Sequence, residues 1–172
     1  AESWFAALGA LVRHARQPSA VGYTPSDLSL VALTQAEIER LEGRYGAVED
    51  ILPLSPLQEG LLFHALYEER GSDVYTVQLE LELEGALEVP VLEASLRAVV
   101  GRHASLRAAF CQEQLSRPVQ VVVAGAAVPW RLIDLSDDDP KEQRRKLEEI
   151  VQADRLQRFD LGAPPLMRFA LI

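Results

Sequence analysis

Apolar residues recur at helical spacing along five stretches of the chain. In residues 4–16, the first of these, Trp4, Leu8, Leu11 and Ala15 fall on one stripe, which predicts an amphipathic helix. The same spacing predicts further helices at residues 34–45, 55–67, 89–103 and 140–159.

A strict alternation of apolar and polar residues marks residues 75–84. Val77, Leu79, Leu81 and Leu83 fall on one side, and a glutamine and three glutamates on the other. This period of two predicts a half-buried β-strand with one solvated face. Shorter strands are predicted at residues 108–112, 119–124, 130–134 and 166–172.

Two of the helix starts carry capping boxes. The pairs are Thr34 with Glu37 and Ser55 with Gln58. At this spacing the hydroxyl accepts the backbone N–H of the later residue, and the carboxylate or amide oxygen of the later residue accepts the backbone N–H of the first. Pro56 occupies the first helical position, where a missing N–H costs nothing. Helix capping alone therefore explains Ser55 and Gln58.

The first 47 residues differ from the rest of the chain. They offer two short helices and the turn-rich stretch 17–27, which cannot enclose a core of their own. We expect residues 1–47 to form a helical linker or docked tail. Residues 48–172 are expected to form one α/β domain, for which this length is sufficient.

Composition narrows the classes of partner and the compartment. A net charge of −9, from 26 acidic and 17 basic residues, argues against nucleic acid and against an anionic membrane surface. The single cysteine, Cys111, excludes an internal disulfide and suits a reducing compartment. No apolar run approaches the ~20 residues of a membrane span. We therefore expect a soluble, cytoplasmic protein.

The residues alone reveal no catalytic site. The three histidines, His14, His64 and His103, lack metal-ligand spacing with one another or with Cys111. Neither a phosphate-binding glycine loop nor a nucleophile elbow is present. His64 and His103 lie on predicted helices beside apolar residues and are most simply explained as structural.

Two segments resemble core motifs of the condensation domains of non-ribosomal peptide synthetases. Residues 53–66, PLSPLQEGLLFHAL, resemble the first motif, and residues 102–110, RHASLRAAF, resemble the second, R-H-E-x-L-R-T-x-F. Residues 159–172 resemble the stretch before the family's catalytic motif, H-H-x-x-x-D-G. The resemblance implies the N-terminal half of a chloramphenicol-acetyltransferase-like fold, a two-layer mixed sheet with flanking helices.

Residues 23–45, YTPSDLSLVALTQAEIERLEGRY, resemble the tail that follows epimerization domains. This resemblance implies that residues 1–47 join an upstream epimerization domain to the condensation domain. The form LSPLQEGLLFH resembles condensation domains that accept a donor ending in a D-residue. The two resemblances agree, since an epimerizing module would supply that donor.

The family's reaction supplies roles for the matching residues. Condensation domains join aminoacyl groups held as thioesters on carrier domains, whose phosphopantetheine arms are the prosthetic groups involved. By resemblance, Arg102 forms an ion pair with the aspartate of the catalytic motif, a geometry that a guanidinium suits. The alternative is an ordinary surface arginine favoured at a helix C-terminus. Arg107 and His103 are then structural supports, and nothing in this chain is catalytic.

The remaining matches are weaker guides. Ser55, Gln58, Glu59 and His64 match the first motif without an implied catalytic role. In the second motif, Ala104 and Ala108 stand where the family usually has glutamate and threonine, so the polar contacts of those residues are not expected here.

No pair of adjacent histidines occurs in the 172 residues. The resemblance therefore places the catalytic motif and the C-terminal lobe beyond Ile172, and the isolated chain is expected to be inactive. Two other functions stay open: a docking module whose 1–47 segment binds another synthetase polypeptide, and a coenzyme A-dependent acyltransferase of the same fold. The T-P-S-D phrase and the LSPLQEG form speak against the second.

Overall fold

The computed structural model describes residues 2–16, 22–67 and 75–172. Its elements, in chain order, are α1 (Glu2–Ala15), α2 (Gln35–Tyr45), β1 (Val48–Pro53), α3 (Pro56–Tyr67), α4 (Val89–Arg102), a 3-10 turn (Ala104–Arg107), β2 (Ala108–Cys111), β3 (Val119–Val123), β4 (Trp130–Leu132), α5 (Pro140–Leu156) and β5 (Phe169–Leu171). The predicted α/β class is confirmed, and the five helices and four short strands predicted from the sequence are all present.

The strands form two sheets. In the first, β3 lies between β1 and β2 and pairs antiparallel with both, so that Val121 is opposite Ile51 on one side and Ala109 on the other. The β-branched residues of β3 suit this central position. In the second sheet, β4 and β5 run parallel, and α5 lies between them in the sequence, as the connection between parallel strands requires.

The main core lies between the antiparallel sheet and residues 22–45. The buried apolar side chains of this cluster are Leu28, Val31, Leu33, Ile38, Leu41, Ile51, Cys111, Val119 and Val121. Residues 22–45 therefore share a core with the sheet. The predicted turn-rich stretch 17–27 lies partly outside the described residues; within the described part, Thr24 and Asp27 form a hydrogen-bonded turn.

Both capping boxes are confirmed. The Glu37 carboxylate accepts the backbone N–H of Thr34 at 2.7 Å, while the Thr34 hydroxyl accepts that of Glu37. At α3, the Ser55 N–H donates to the Gln58 side-chain oxygen at 2.8 Å, and the Gln58 N–H donates to the Ser55 hydroxyl. Local hydrogen bonding thus fixes where α2 and α3 begin.

The strand predicted at residues 75–84 is wrong. These residues form neither strand nor helix, and the four apolar side chains that were expected to face a core are 57–81% exposed. Gln78, on the predicted polar side, is half-buried and donates to the Val151 carbonyl of α5 at 3.1 Å. The alternation is present, but within the described residues no strand pairs with it.

Strand β1 was not predicted. Its sequence, VEDILP, carries two acidic residues and ends in proline, so it lacks a period-two pattern. Pairing with β3 stabilises it, and the register shifts between Val48 and Asp50, which places Glu49 at a bulge.

None of the helices in the described residues is long and apolar enough to cross a lipid bilayer.

Candidate functional site

The second motif, residues 102–110, runs from the end of α4 through the 3-10 turn into β2. Helix α4 ends at Arg102 because His103 adopts extended backbone angles, while its N–H still donates to the Val99 carbonyl at 3.1 Å. The tight 3-10 turn then brings Arg107 back beneath the helix end. The motif therefore connects the last turn of a helix to the antiparallel sheet.

Arg107 is buried, with 4% of its surface exposed, and joins three elements. Its Nε donates to the Val100 carbonyl of α4 at 3.2 Å, and its Nη1 donates to the Val123 carbonyl at the end of β3. Nη1 also forms an ion pair with Glu49 of β1 at 2.6 Å. A guanidinium suits this position because its planar fork presents donors in several fixed directions.

Glu49 reaches Arg107 from the bulge in β1. The hydrogen bond from Arg107 holds the pKa of the Glu49 carboxyl below its ordinary value, so the pair stays charged at neutral pH. No motif in the sequence points to Glu49. Glu49 and Arg107 are 58 positions apart, and no local pattern links them.

Arg102 and His103 lie on the surface at the end of α4. No ion pair of Arg102 is found within residues 2–16, 22–67 and 75–172. The structure thus separates the two arginines of the motif: Arg107 is committed to internal hydrogen bonds, whereas Arg102 projects from the chain.

The first motif, residues 53–66, runs from the end of β1 through most of α3. Gln58 links it to the sheet, since its Nε2 lies 3.4 Å from Gln120 Oε1, and Gln120 donates in turn to the Pro53 carbonyl. Glu59 and His64 are exposed, and the His64 ring lies 6.0 Å from the ring of Phe63.

An open cavity of about 930 Å³ lies between α3, β2 and residues 158–162. Its wall combines apolar side chains, among them Leu62, Phe110 and Phe159, with the charged Arg44 and Asp160. The described part of the chain contains no cluster of three potential metal ligands. The cavity thus joins apolar and charged surface in one depression.

Residues 48–172 match the condensation-domain family. One of the linear gramicidin synthase subunits of Brevibacillus parabrevis is 40% identical over 171 residues, which is 99% of this chain and 2% of that protein. Another polypeptide of the same synthase is 41% identical over 172 residues, covering 100% of this chain and 3% of that protein. The chain thus spans a small part of these relatives.

A solved structure supports the same assignment. The starter condensation domain of rhizomide synthetase matches with a TM-score of 0.52 and 26% sequence identity, over 71% of this chain and 30% of that one. This likeness confirms the predicted chloramphenicol-acetyltransferase-like fold class. By sequence and by fold, the chain belongs to the condensation-domain family of non-ribosomal peptide synthetases.

Proposed function

We propose that this chain is the N-terminal lobe of a condensation domain that forms a peptide bond between two carrier-bound aminoacyl thioesters. The amine of the acceptor attacks the thioester carbonyl of the donor and the C–N bond forms. The C–S bond then breaks, the phosphopantetheine of the donor's carrier leaves as a thiolate, and the proton lost by the amine ends on that thiolate. No pair of adjacent histidines occurs in these 172 residues, so the chain does not supply the histidines of the catalytic motif. Residues of this chain support the reaction without touching the reacting atoms.

The position of Arg102 carries this proposal. Arg107 fixes the last turn of α4 through the Val100 carbonyl, and Arg102 projects from that turn without an ion pair in the described residues. A carboxylate supplied from outside the chain, the aspartate of H-H-x-x-x-D-G, fits that guanidinium. Such a bidentate pair would brace the catalytic loop from the side of this lobe.

The test uses the complete condensation domain with donor and acceptor loaded on their carrier domains. Arg102→Ala is expected to reduce peptide formation at least about tenfold, as for loss of a charged hydrogen-bonded pair. Arg102→Lys is expected to restore only part of the rate, because an ammonium lacks the planar fork. Arg97→Ala, which removes an exposed arginine from the same helix, is the matched control. Equal rates for Arg102→Ala and Arg97→Ala would contradict the role of Arg102.

We also propose that residues 1–47 are an in-line linker from an epimerization domain and that the donor ends in a D-residue. In support, two polypeptides of one synthase match this chain over 171 and 172 residues, so each contains counterparts of both regions in one chain. Carrier-bound donors that differ only in the configuration of the last residue test the subtype. Faster condensation of the L-ended donor would exclude it.

The docking alternative has one observation in its favour. Helix α1 exposes an apolar stripe of Trp4, Phe5, Leu8, Leu11 and Val12, each at least 44% exposed. If α1 docks onto a separate upstream polypeptide, Trp4→Glu is expected to weaken that binding. If residues 1–47 are an in-line linker, no separate polypeptide binds and the substitution has no binding to weaken. Cytoplasmic location is part of the proposal and is supported by the free thiol of Cys111.

A further inference from the structure

Residues 22–45, which precede the family match, cover one face of the antiparallel sheet; we call them the strap. Their buried apolar side chains are at most 6% exposed and include Leu28, Ile38 and Leu41. The sheet contributes Val119 and Val121, both fully buried, from its central strand. Burial of this kind on both sides makes the contact a packed interface rather than a surface along which a flexible linker passes.

Three polar side chains of α2 recognise a single turn of the sheet. The Glu37 carboxylate accepts the backbone N–H of Ser116 at 2.6 Å, and Arg40 donates to the Gln114 carbonyl. Arg44 forms an ion pair with Glu113 at 3.5 Å. Positions 37, 40 and 44 are three and four residues apart, so they share the helix face that lies over the β2–β3 turn. This polar pattern fixes the strap in one register on the apolar face.

The upstream end of the strap is held as firmly. The N–H of Tyr23 donates to the Glu42 carboxylate at 2.7 Å, and its hydroxyl donates to the Glu49 carbonyl of β1. The six residue steps from Arg16 to Gly22 can span at most about 20 Å, whereas the 32 steps from Arg16 to Val48 could span about 110 Å. Docking of the strap thus shortens the reach of the upstream polypeptide about fivefold.

We propose that this sheet face is a docking surface for the strap, and that the docked strap fixes the point at which upstream sequence leaves the condensation domain, at Tyr23 beside Glu49. The occupant is a segment of the same chain, and the proposal rests on its packing alone, independently of the reaction. The physical unit of the domain then begins at the strap, upstream of the residues that match the family.

Cys111 provides a probe of this docking. It is the single cysteine of the chain, is 5% exposed, and lies under the strap, 3.8 Å from Arg44 Nη1. The rate at which a neutral aromatic disulfide labels this thiol is measured on the full 172-residue chain in native buffer. Because Cys111 also lines the open cavity beside α3, opening of the strap is read from the difference in labelling rate between a strap variant and its matched control. Low concentrations of urea separate opening of the strap, which exposes less surface and therefore depends weakly on urea, from global unfolding, which exposes more and depends strongly on it.

The variant and its control lie on the same helix. Glu37→Gln keeps the shape but provides one acceptor oxygen where Thr34 and Ser116 use two, and it is expected to label about tenfold faster than wild type. Glu39→Gln changes an exposed carboxylate whose contact is with Gln35 and is expected to label at the wild-type rate. Arg40→Gln, which removes the Gln114 contact, is a second variant expected to behave as Glu37→Gln does.

Amide hydrogen exchange locates the opening. In Glu37→Gln, exchange is expected to rise through residues 23–45 together, while β3 keeps wild-type protection. Equal labelling of the Glu37 and Glu39 variants would overturn the proposal. So would labelling that follows global unfolding at every urea concentration, or a Tyr23 amide that exchanges freely in the wild-type chain.

Discussion

Replacing Arg107 with methionine removes the guanidinium that joins α4, β1 and β3. Methionine fills similar space with an apolar side chain but leaves the Val100 and Val123 carbonyls without their donor. Each hydrogen bond from a charged group contributes about 1.5–3 kcal/mol to stability. The desolvation of the buried guanidinium, relieved in the variant, offsets part of that sum. The ion pair with Glu49 adds little, since that carboxylate is 47% exposed.

We therefore expect Arg107→Met to lower the free energy of unfolding by about 3 kcal/mol. For a chain of this size, that corresponds to a fall in Tm of roughly 6–12 °C. Urea titration followed by circular dichroism measures the free energy directly, and a thermal scan checks it.

The matched control is Arg97→Met on the same helix. Arg97 forms an exposed pair with Glu93 one turn away, and its loss is expected to cost no more than about 0.5 kcal/mol. Arg107→Lys should recover part of the loss, because an ammonium cannot reach all three acceptors at once. If Arg107→Met and Arg97→Met unfold at the same urea concentration, the buried hydrogen bonds make no net contribution and the reasoning is refuted.

Three further predictions concern single positions. The hydrogen bond from the backbone N–H of Thr34 helps to hold the pKa of Glu37 at about 2. The Glu37 carboxylate therefore stabilises the fold above about pH 4.5, and this stabilisation is lost as the pH falls toward 2. Glu37→Gln should flatten that part of a plot of urea midpoint against pH, and an unchanged slope would contradict the prediction. Asp139→Ala removes the acceptor for two N–H groups at the start of α5. It should lower the free energy of unfolding, measured by urea titration, by about 1 kcal/mol, and an unchanged value would contradict a stabilising role of the cap. Leu81→Lys, at an 80% exposed position, should change stability by less than about 0.5 kcal/mol, and a larger loss would mean that the side chain is packed.

Features set by neighbouring residues could be predicted from the sequence. Both capping boxes depend on side chains three positions apart, and the structure contains the bonds that their spacing predicted. The last helix also starts at the predicted residue 140, where Asp139 caps α5 and Pro140 begins it. In each case the stabilising partner lies within one turn, so a short stretch of sequence contains the whole interaction.

Features set by distant residues could not. The alternation at residues 75–84 shows which side chains would share a face, but it carries no information on whether a strand lies beside it. Strand β1 forms through pairing with β3, about 70 residues away. Glu49 forms its ion pair with Arg107, which lies 58 positions later in the chain. The two arginines of the second motif look alike in sequence. Burial alone separates Arg107, which is committed to the core, from Arg102, which lies on the surface.

The order of the strands bears on what a single cut in the backbone would do. Residues 77–83 are irregular and mostly exposed, as a protease requires, and a glutamate-specific enzyme finds its residue type there. The antiparallel sheet takes β1 from before this segment, and β2 and β3 from after it. A chain cut at this point would therefore remain one particle in solution, held by strand pairing and by the shared apolar cluster. Its two halves would separate only in denaturant, which makes the segment a natural place to divide the domain into complementing fragments.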